Sequence, residues 1–424
     1  MSESVASILI VLVFLLGYFA IAAEAKIKIN KTSAALLMAV ITWMLAFLIR
    51  GHSPMEDVSV LGDHLSEVSQ IIFFLLGAMA LVELIDAHRG FKIVTDLIRT
   101  SSKRRLLWVL GFVTFFLSAV LDNLTTTIVM VSLLRKLVTD REDRLLLGSI
   151  IVIAANAGGA WTPIGDVTTT MLWINGNITT LGIMKSLFLP SVASLVASLV
   201  LVSKRFRGRH SHLPASNQES APGAKLVFYG GIGALVFVPI FKGLTGLPPF
   251  MGMLMGLGAL WFATDLLHHK HQERAALRMP HILTRIDVPS VLFFLGILLC
   301  IGALDSVGLL KGLAVWINQY VQNTTVIASI FGVISAVIDN VPLVAAGMGM
   351  FDLATYPVDS PLWQSLAYCA GTGGSMLIIG SAAGVAFMGM EKVDFLWYCK
   401  KISFVAIVGY FAGIAMYVVQ QLVF

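Results

Sequence analysis

Ser118-Ala119-Val120-Leu121-Asp122-Asn123 occurs a second time, 217 residues later, as Ser335-Ala336-Val337-Ile338-Asp339-Asn340. Each copy sits in the middle of a strongly apolar segment. A carboxylate there is costly to bury, so it normally faces a partner or a water-filled cavity and marks a functional site. Two such carboxylates, each followed by Asn and half a chain apart, point to a duplicated fold with a single shared site.

The rest of the composition agrees. Of 424 residues, 57% are hydrophobic and 12% charged, with a mean hydropathy of +0.88. A soluble domain carries about 25% charged residues. Apolar runs such as 5–22, 32–49, 183–203 and 402–419 approach or reach the roughly 20 residues that span a bilayer as a helix. The chain reads as an all-α polytopic membrane protein in a lipid bilayer. The first run is not a signal peptide by pattern, because Lys26, Lys28 and Lys31 follow it rather than precede it. The basic balance comes from loops, so it reports topology and implies no nucleic-acid partner. Cys300, Cys369 and Cys399 have neither metal spacing nor an arguable disulfide.

Topology follows from the positive-inside rule. Lys26, Lys28 and Lys31 place the first loop in the cytoplasm and the N-terminus outside. The acidic stretch 51–66 lies outside, and 88–105, with six basic residues, lies inside, part of it as an interfacial helix. Residues 106–137 would ordinarily be one crossing, yet Arg135, Lys136, Arg141 and Arg144 after them also belong in the cytoplasm. The conflict vanishes if the segment enters and turns back at Asp122-Asn123. Each half would be about 22–24 Å long, against a core of about 30 Å. Residues 145–173 are interrupted by Asn156-Ala-Gly-Gly-Ala-Trp-Thr-Pro-Ile-Gly-Asp166, where three glycines and Pro163 break a helix. The second half repeats the plan, with a hairpin over 325–351 entering from outside and an interruption at Gly371–Gly380 within 362–390. In this arrangement 25 of the 29 basic residues are cytoplasmic; the others are Arg50, Lys185, Lys242 and Lys311. Both termini are then outside.

The halves also align directly. Phe74, Gly77 and Asp86 match Phe293, Gly296 and Asp305; Gly158-Gly159 and Ile164-Gly165 match Gly373-Gly374 and Ile379-Gly380. One half starts inward and the other outward. That is an inverted-topology repeat with two re-entrant hairpins and two broken transmembrane helices, typical of transporters with a midplane site.

Candidate ligands gather at these breaks. Asp122 and Asp339 sit at the hairpin tips, where carboxylates and amide oxygens are hard ligands suited to small cations. A helix cap is the alternative role for each. Asn123 and Asn340 supply amide oxygens or tie the turn, and Thr125 a hydroxyl. Asn156 and Asp166 bracket the first interruption, with Thr168 beyond. The counterpart of Asp166 is Ser381 and that of Asn156 is Gly371, so polar ligands concentrate in the first half; Ser375 and Thr372 are the candidates opposite. Glu24, Glu83, Asp86 and Asp305 read as interfacial. His210, His212, His268, His269, His271 and His281 read as solvated loop residues, with pH sensing as the alternative.

At these motifs the chain resembles the NhaD-type sodium/proton antiporters of the wider ion-transporter superfamily. The resemblance covers about 67–390 and is most specific at Asn156 through Thr168. Relatives that carry dicarboxylates have neutral Ser-Asn-Thr tips, whereas this chain has Asp before Asn, which argues for a cation. The resemblance implies a cell inner membrane location, a homodimer, scaffold helices in 1–66 and 224–287, and a moving transport part. The repeats would then be 67–203 and 288–424, joined by a cytoplasmic linker, 204–223.

Desolvation disfavours a charged carboxylate, so a buried one takes a proton when protons are plentiful and Na+ or Li+ when they are not. Mutual exclusion at one site is enough for exchange. Asp122, Asp166 and Asp339 are the expected exchanging groups, Na+ or Li+ and H+ the cargo, with no cofactor and no enzymatic activity. Two other readings stand beside this one. An arsenite or dicarboxylate carrier would share the fold. An intramembrane aspartyl protease of the presenilin kind also uses two membrane aspartates, but Pro163 replaces the first Gly of its Gly-x-Gly-Asp motif, and it leaves the copy at Asp339 unexplained.

Overall fold

The computed structural model describes residues 3–22, 24–50, 54–95, 98, 100, 102–204, 206 and 221–423. The regular structure among them is helical. The helices of eight residues or more are α1 (Glu3–Ala22), α2 (Lys31–Arg50), α3 (Pro54–Ala87), α4 (Lys103–Leu121), α5 (Asn123–Leu137), α6 (Arg141–Gly159), α7 (Val167–Ile174), α8 (Thr180–Ser203), α9 (Ala224–Thr245), α10 (Pro249–His268), α11 (Val288–Ser306), α12 (Leu309–Tyr320), α13 (Thr324–Ser335), α14 (Asn340–Met350), α15 (Pro361–Gly373), α16 (Ala382–Glu391) and α17 (Ser403–Val423). Among the described residues, eight helices are long and apolar enough to cross a bilayer. The chain is a multi-pass membrane protein.

Side-chain contacts fix how the short helices run. Lys103, at the start of α4, forms an ion pair with Asp143 in the first turn of α6, so both helices begin at one face. Further along, Ser118 Oγ donates to Ala155 O at 2.7 Å, so α4 and α6 run side by side in the same direction. Three residues join α5 to α6, so α5 runs back toward the face where α4 began. Residues 103–137 therefore enter and return.

Arg135 and Arg144, at that same basic face, bind the buried Glu391 carboxylate at the end of α16, at 2.7 and 2.8 Å. At the opposite face, Thr179, just after α7, donates its backbone N–H and its hydroxyl to Asp359, just before α15, at 2.7 and 2.6 Å. The first broken helix, α6–α7, thus crosses away from the basic face, and the second, α15–α16, crosses back toward it.

The two halves repeat one another in atomic detail. Ser335 Oγ donates to Ala370 O at 2.9 Å, as Ser118 does to Ala155. A Cβ on Gly158 would overlap the Phe115 carbonyl oxygen, and one on Gly373 would overlap that of Gly332. These contacts are backbone on backbone, so no side chain can swing aside. Gly158→Ala is expected to force α4 and α6 apart, at a cost of about 1–3 kcal/mol or more, and to lower both folded yield and melting temperature. Gly233→Ala, where an added Cβ meets open space, should leave both unchanged in a detergent melt.

Several expectations are revised. The acidic stretch read as a loop over 51–66 belongs to α3 from residue 54 onward, where Glu56 and Asp57 occupy the first turn and suit the positive end of the helix dipole. Within 88–105 the described residues include a four-residue helix, Lys92–Thr95, and residues 96, 97, 99 and 101 lie outside the described residues. An amphipathic helix lies at α12, ahead of the second hairpin. His268 is fully buried rather than solvated. Its Nε2 lies 2.9 Å from Nε2 of His88, also fully buried, whose Nδ1 faces Leu84 O at 2.9 Å. Burial pushes the His88 imidazole below the usual histidine value. Of the 204–223 linker, residues 204, 206 and 221–223 are described; His210 and His212 lie outside the described residues.

Candidate functional site

The two hairpin tips share a sequence but not a geometry. Asp122 joins α4 to α5 with φ +100° and ψ 158°, a region populated almost only by glycine and costing about 1–3 kcal/mol. Its carboxylate holds the turn: Oδ1 accepts from Thr125 N and Oδ2 from Thr125 Oγ1, both at 2.8 Å. Asp339 is relaxed, with φ −48° and ψ 138°, and makes no side-chain cap to α14. The reason is legible in the chain. Three residues after Asp122 stands Thr125, which has an N–H to give; three after Asp339 stands Pro342, which has none. The Asp339 carboxylate is left to other partners, and Lys31 Nζ lies 3.8 Å from it.

Between the tips lies a hydrogen-bonded polar cluster built from both repeats. Asp166, 1% exposed, caps α7: its Oδ1 accepts from Thr168 N and Thr168 Oγ1, both at 2.9 Å. Its Oδ2 accepts from Asn123 Nδ2 at 2.6 Å. Asn340 Nδ2 lies 3.4 Å from each carboxylate oxygen. The first tip and the second thus each send one amide to one carboxylate. Asn123 Nδ2 also donates to Asn156 Oδ1 at 3.1 Å, and Asn156 Nδ2 donates to Ser375 Oγ at 2.8 Å and Ser381 Oγ at 2.9 Å.

Of the nine residues singled out from the sequence, Asn123, Asn156, Asp166, Thr168, Asn340 and Ser375 meet in this cluster. Asp122 and Asp339 flank it within electrostatic reach of Asp166, and Thr125 stays at its own tip. Ser381 is a seventh member; its position opposite Asp166 in the repeat was the available signal. Thr126 and Thr127, buried on α5 just past the first tip, have hydroxyls without a hydrogen-bond partner among the described residues.

The asymmetry of the repeat is a fit of large groups against small ones. Asn156 reaches Ser381, the counterpart of Asp166. In the mirrored position a Cβ on Gly371 would stand 3.7 Å from Asp166 Oδ2, so Gly371 leaves open the space its counterpart fills. Among the ion pairs of the described residues, none involves Asp166; its partners are neutral amides and hydroxyls. A buried carboxylate in that company is costly unless it takes up a proton or a cation.

Comparison with known proteins identifies the family. A family model described as citrate transporter (CitMHS) matches residues 18–371. Sodium/proton antiporter 2 of Arabidopsis thaliana is 56% identical over 413 residues, covering 96% of this chain and 98% of that protein. The Na+/H+ antiporter NhaD of Vibrio cholerae is 30% identical over 441 residues, covering 96% and 90%. Among solved structures, the YdaH transporter of Alcanivorax borkumensis shares the fold, with a TM-score of 0.62 at 11% identity, over 93% of this chain and 98% of that one. The chain belongs to the citrate-transporter family of membrane carriers and, within it, to the NhaD-type sodium/proton antiporters.

Proposed function

We propose that the protein exchanges Na+ or Li+ for H+ across the cell inner membrane at one shared carboxylate site near the bilayer midplane, between the two hairpin tips. The observation that carries this reading is Asp166, a buried carboxylate that receives an asparagine amide from each repeat and has no ion-pair partner among the described residues. A proton and a small cation are the two species that relieve its burial, and they exclude each other. Asn156, Thr168 and Ser375, with the tip residues Asp122, Asn123, Thr125, Asp339 and Asn340, complete the set of hard oxygen donors. The relatives named as sodium/proton antiporters support the same cargo.

In this reading residues 1–66 and 224–287 form the scaffold, and the repeats 67–203 and 288–424 carry the site. The basic face lies in the cytoplasm, both termini lie outside, and two copies form a homodimer. The contacts of Glu391 with Arg135 and Arg144, of Asp359 with Thr179 and of Ser335 with Ala370 tie both hairpins and both broken helices into one unit that moves with its site.

The description of the family model names citrate, which makes an organic anion the second reading. Asp166 and two flanking carboxylates would repel such a substrate. The deciding experiment is a pH-gradient measurement in vesicles, adding Na+, Li+, K+ and citrate in turn. Proton movement on Na+ or Li+ and none on citrate is expected; a response to citrate alone would overturn the cation reading.

A further inference from the structure

Lys31 is the first residue of α2, and a cation at a helix N-terminus works against the helix dipole. Its place there is nonetheless well built. Glu24 Oε1 accepts from the Lys31 backbone nitrogen at 3.1 Å, and the adjacent Thr32 Oγ1 donates to Pro289 O at 2.9 Å, fastening the start of α2 to α11. Trp43 Nε1 donates to Leu299 O at 2.8 Å further along, and a Cβ on Gly296 would meet the Ala35 backbone. The two helices are therefore in backbone contact, and Lys31 has little freedom at its base. Its ammonium lies 4.4 Å from the centre of the Phe293 ring, 3.8 Å from Asp339 Oδ2, and in the described ion pairs has no other carboxylate.

Asp339 is available to it because Pro342 denies it the cap that Asp122 makes. Asp166 and Tyr18 of α1, whose buried hydroxyl has no hydrogen-bond partner among the described residues, are also within electrostatic reach of Asp339. Among the ion pairs of the described residues, Lys31 is the cation at Asp339.

We propose that Lys31 is the resident counter-cation of the second hairpin tip, and that the transported cation gains Asp339 only by displacing it. The inference rests on the exchange reading above and adds a residue to it. Lys31 sits on a scaffold helix and Asp339 on the hairpin, so the pair also fastens the tip to the scaffold until a cation takes the place of the lysine. The resident charge competes directly with the cargo and weakens the hold of the site on Na+.

The test uses the full chain, in vesicles and purified, with Na+ as probe. An opposite charge this close changes the hold of a carboxylate on its ligand by about tenfold or more. Lys31→Gln should therefore lower the Na+ concentration for half-maximal exchange at pH 8.5 by about tenfold. Calorimetry on the purified protein should show the same gain in Na+ affinity. Lys31→Arg, which keeps the charge, should behave as wild type. Lys28→Gln removes the same charge from an exposed position in the same stretch and should change nothing. Both members of the pair keep some exposure, 27% for Lys31 and 18% for Asp339, so the neutral variant is expected to fold. Lys31→His, neutral at pH 8.5, is a second neutral variant.

Unchanged Na+ affinity in the neutral variants would overturn the inference and leave the exchange reading standing. So would Lys31→Arg behaving like Lys31→Gln, because length rather than charge would then matter. A wild-type protein that moves no protons on Na+ would overturn the exchange reading itself, and the inference with it.

Discussion

Asp166→Asn is expected to abolish Na+-driven proton movement, by about 100-fold or more, while the protein inserts and folds at near-normal level. The expected loss follows from charge. Asn at 166 can still accept from Thr168 at its oxygen, so the α7 cap survives, Asn and Asp being near-equal caps. Its nitrogen would then face the amide nitrogens of Asn123 and Asn340, which now donate to the carboxylate. That clash can be relieved by turning Asn123 and Asn156 over, because Ser375 and Ser381, at the end of the chain of hydrogen bonds, can donate as well as accept. A neutral amide is also easier to bury than a carboxylate. What cannot be replaced is the titratable anion. Ser381→Ala, at the matching position in the other repeat, removes one of two acceptors for the Asn156 amide and a cap to Gly384 N. It should keep more than half of the transport rate. The measurement is the vesicle pH gradient at pH 8 with Na+ pulses, with protein level read in the same membranes. Equal loss in both variants would mean that the two repeats contribute symmetrically, and the weight placed on Asp166 would be misplaced.

What the sequence made readable was whatever depends on near neighbours. The breaks at Asp122, at Ala160–Gly165 and at Gly374–Gly380 were visible, because glycine, proline and a lone acid in an apolar run are local signals. The hairpin over 106–137 was visible because basic residues flank it on both sides. The register of the repeat was visible because Gly158 and Gly373 have to be glycine for one shared reason, a backbone oxygen where a Cβ would go. The amides and carboxylate that meet in the cluster were all marked by standing beside a break.

Contacts between distant parts of the chain were not readable. Lys31 looked like one more cytoplasmic lysine, since nothing within its own helix shows that it ends beside a residue 308 positions later. His268 looked solvated because it sits among loop histidines, and only the fold places it against His88. The difference between the tips is an intermediate case. Thr125 against Pro342 was in plain view, but its meaning depends on knowing that the carboxylate reaches the third residue onward. A matching hexapeptide therefore suggested two equivalent aspartates where the surroundings make them unequal.

That inequality shapes the second large expected effect. Asp122→Asn and Asp339→Asn are each expected to lose Na+-driven proton movement between pH 7 and 9, with normally inserted protein. At the first tip the loss would be functional rather than structural. Asn tolerates positive φ about as well as Asp does, and its oxygen can still accept from Thr125 N, so the turn at φ +100° should persist. A melting temperature close to wild type is the check. If the Asp122 carboxylate serves only to hold that turn, Asn would serve nearly as well and transport would survive; full activity in Asp122→Asn would mark this tip as structural. At the second tip no cap is at stake, since Pro342 has no N–H to offer and Asp339 makes no cap bond. Asp339→Asn removes a charge whose partner in the structure is Lys31, and a loss of transport there cannot be explained by an unravelled helix start. Full transport in both variants would rule out both tip carboxylates as cation ligands and leave Asp166, held between the two tip asparagines, as the sole acid on which exchange could turn.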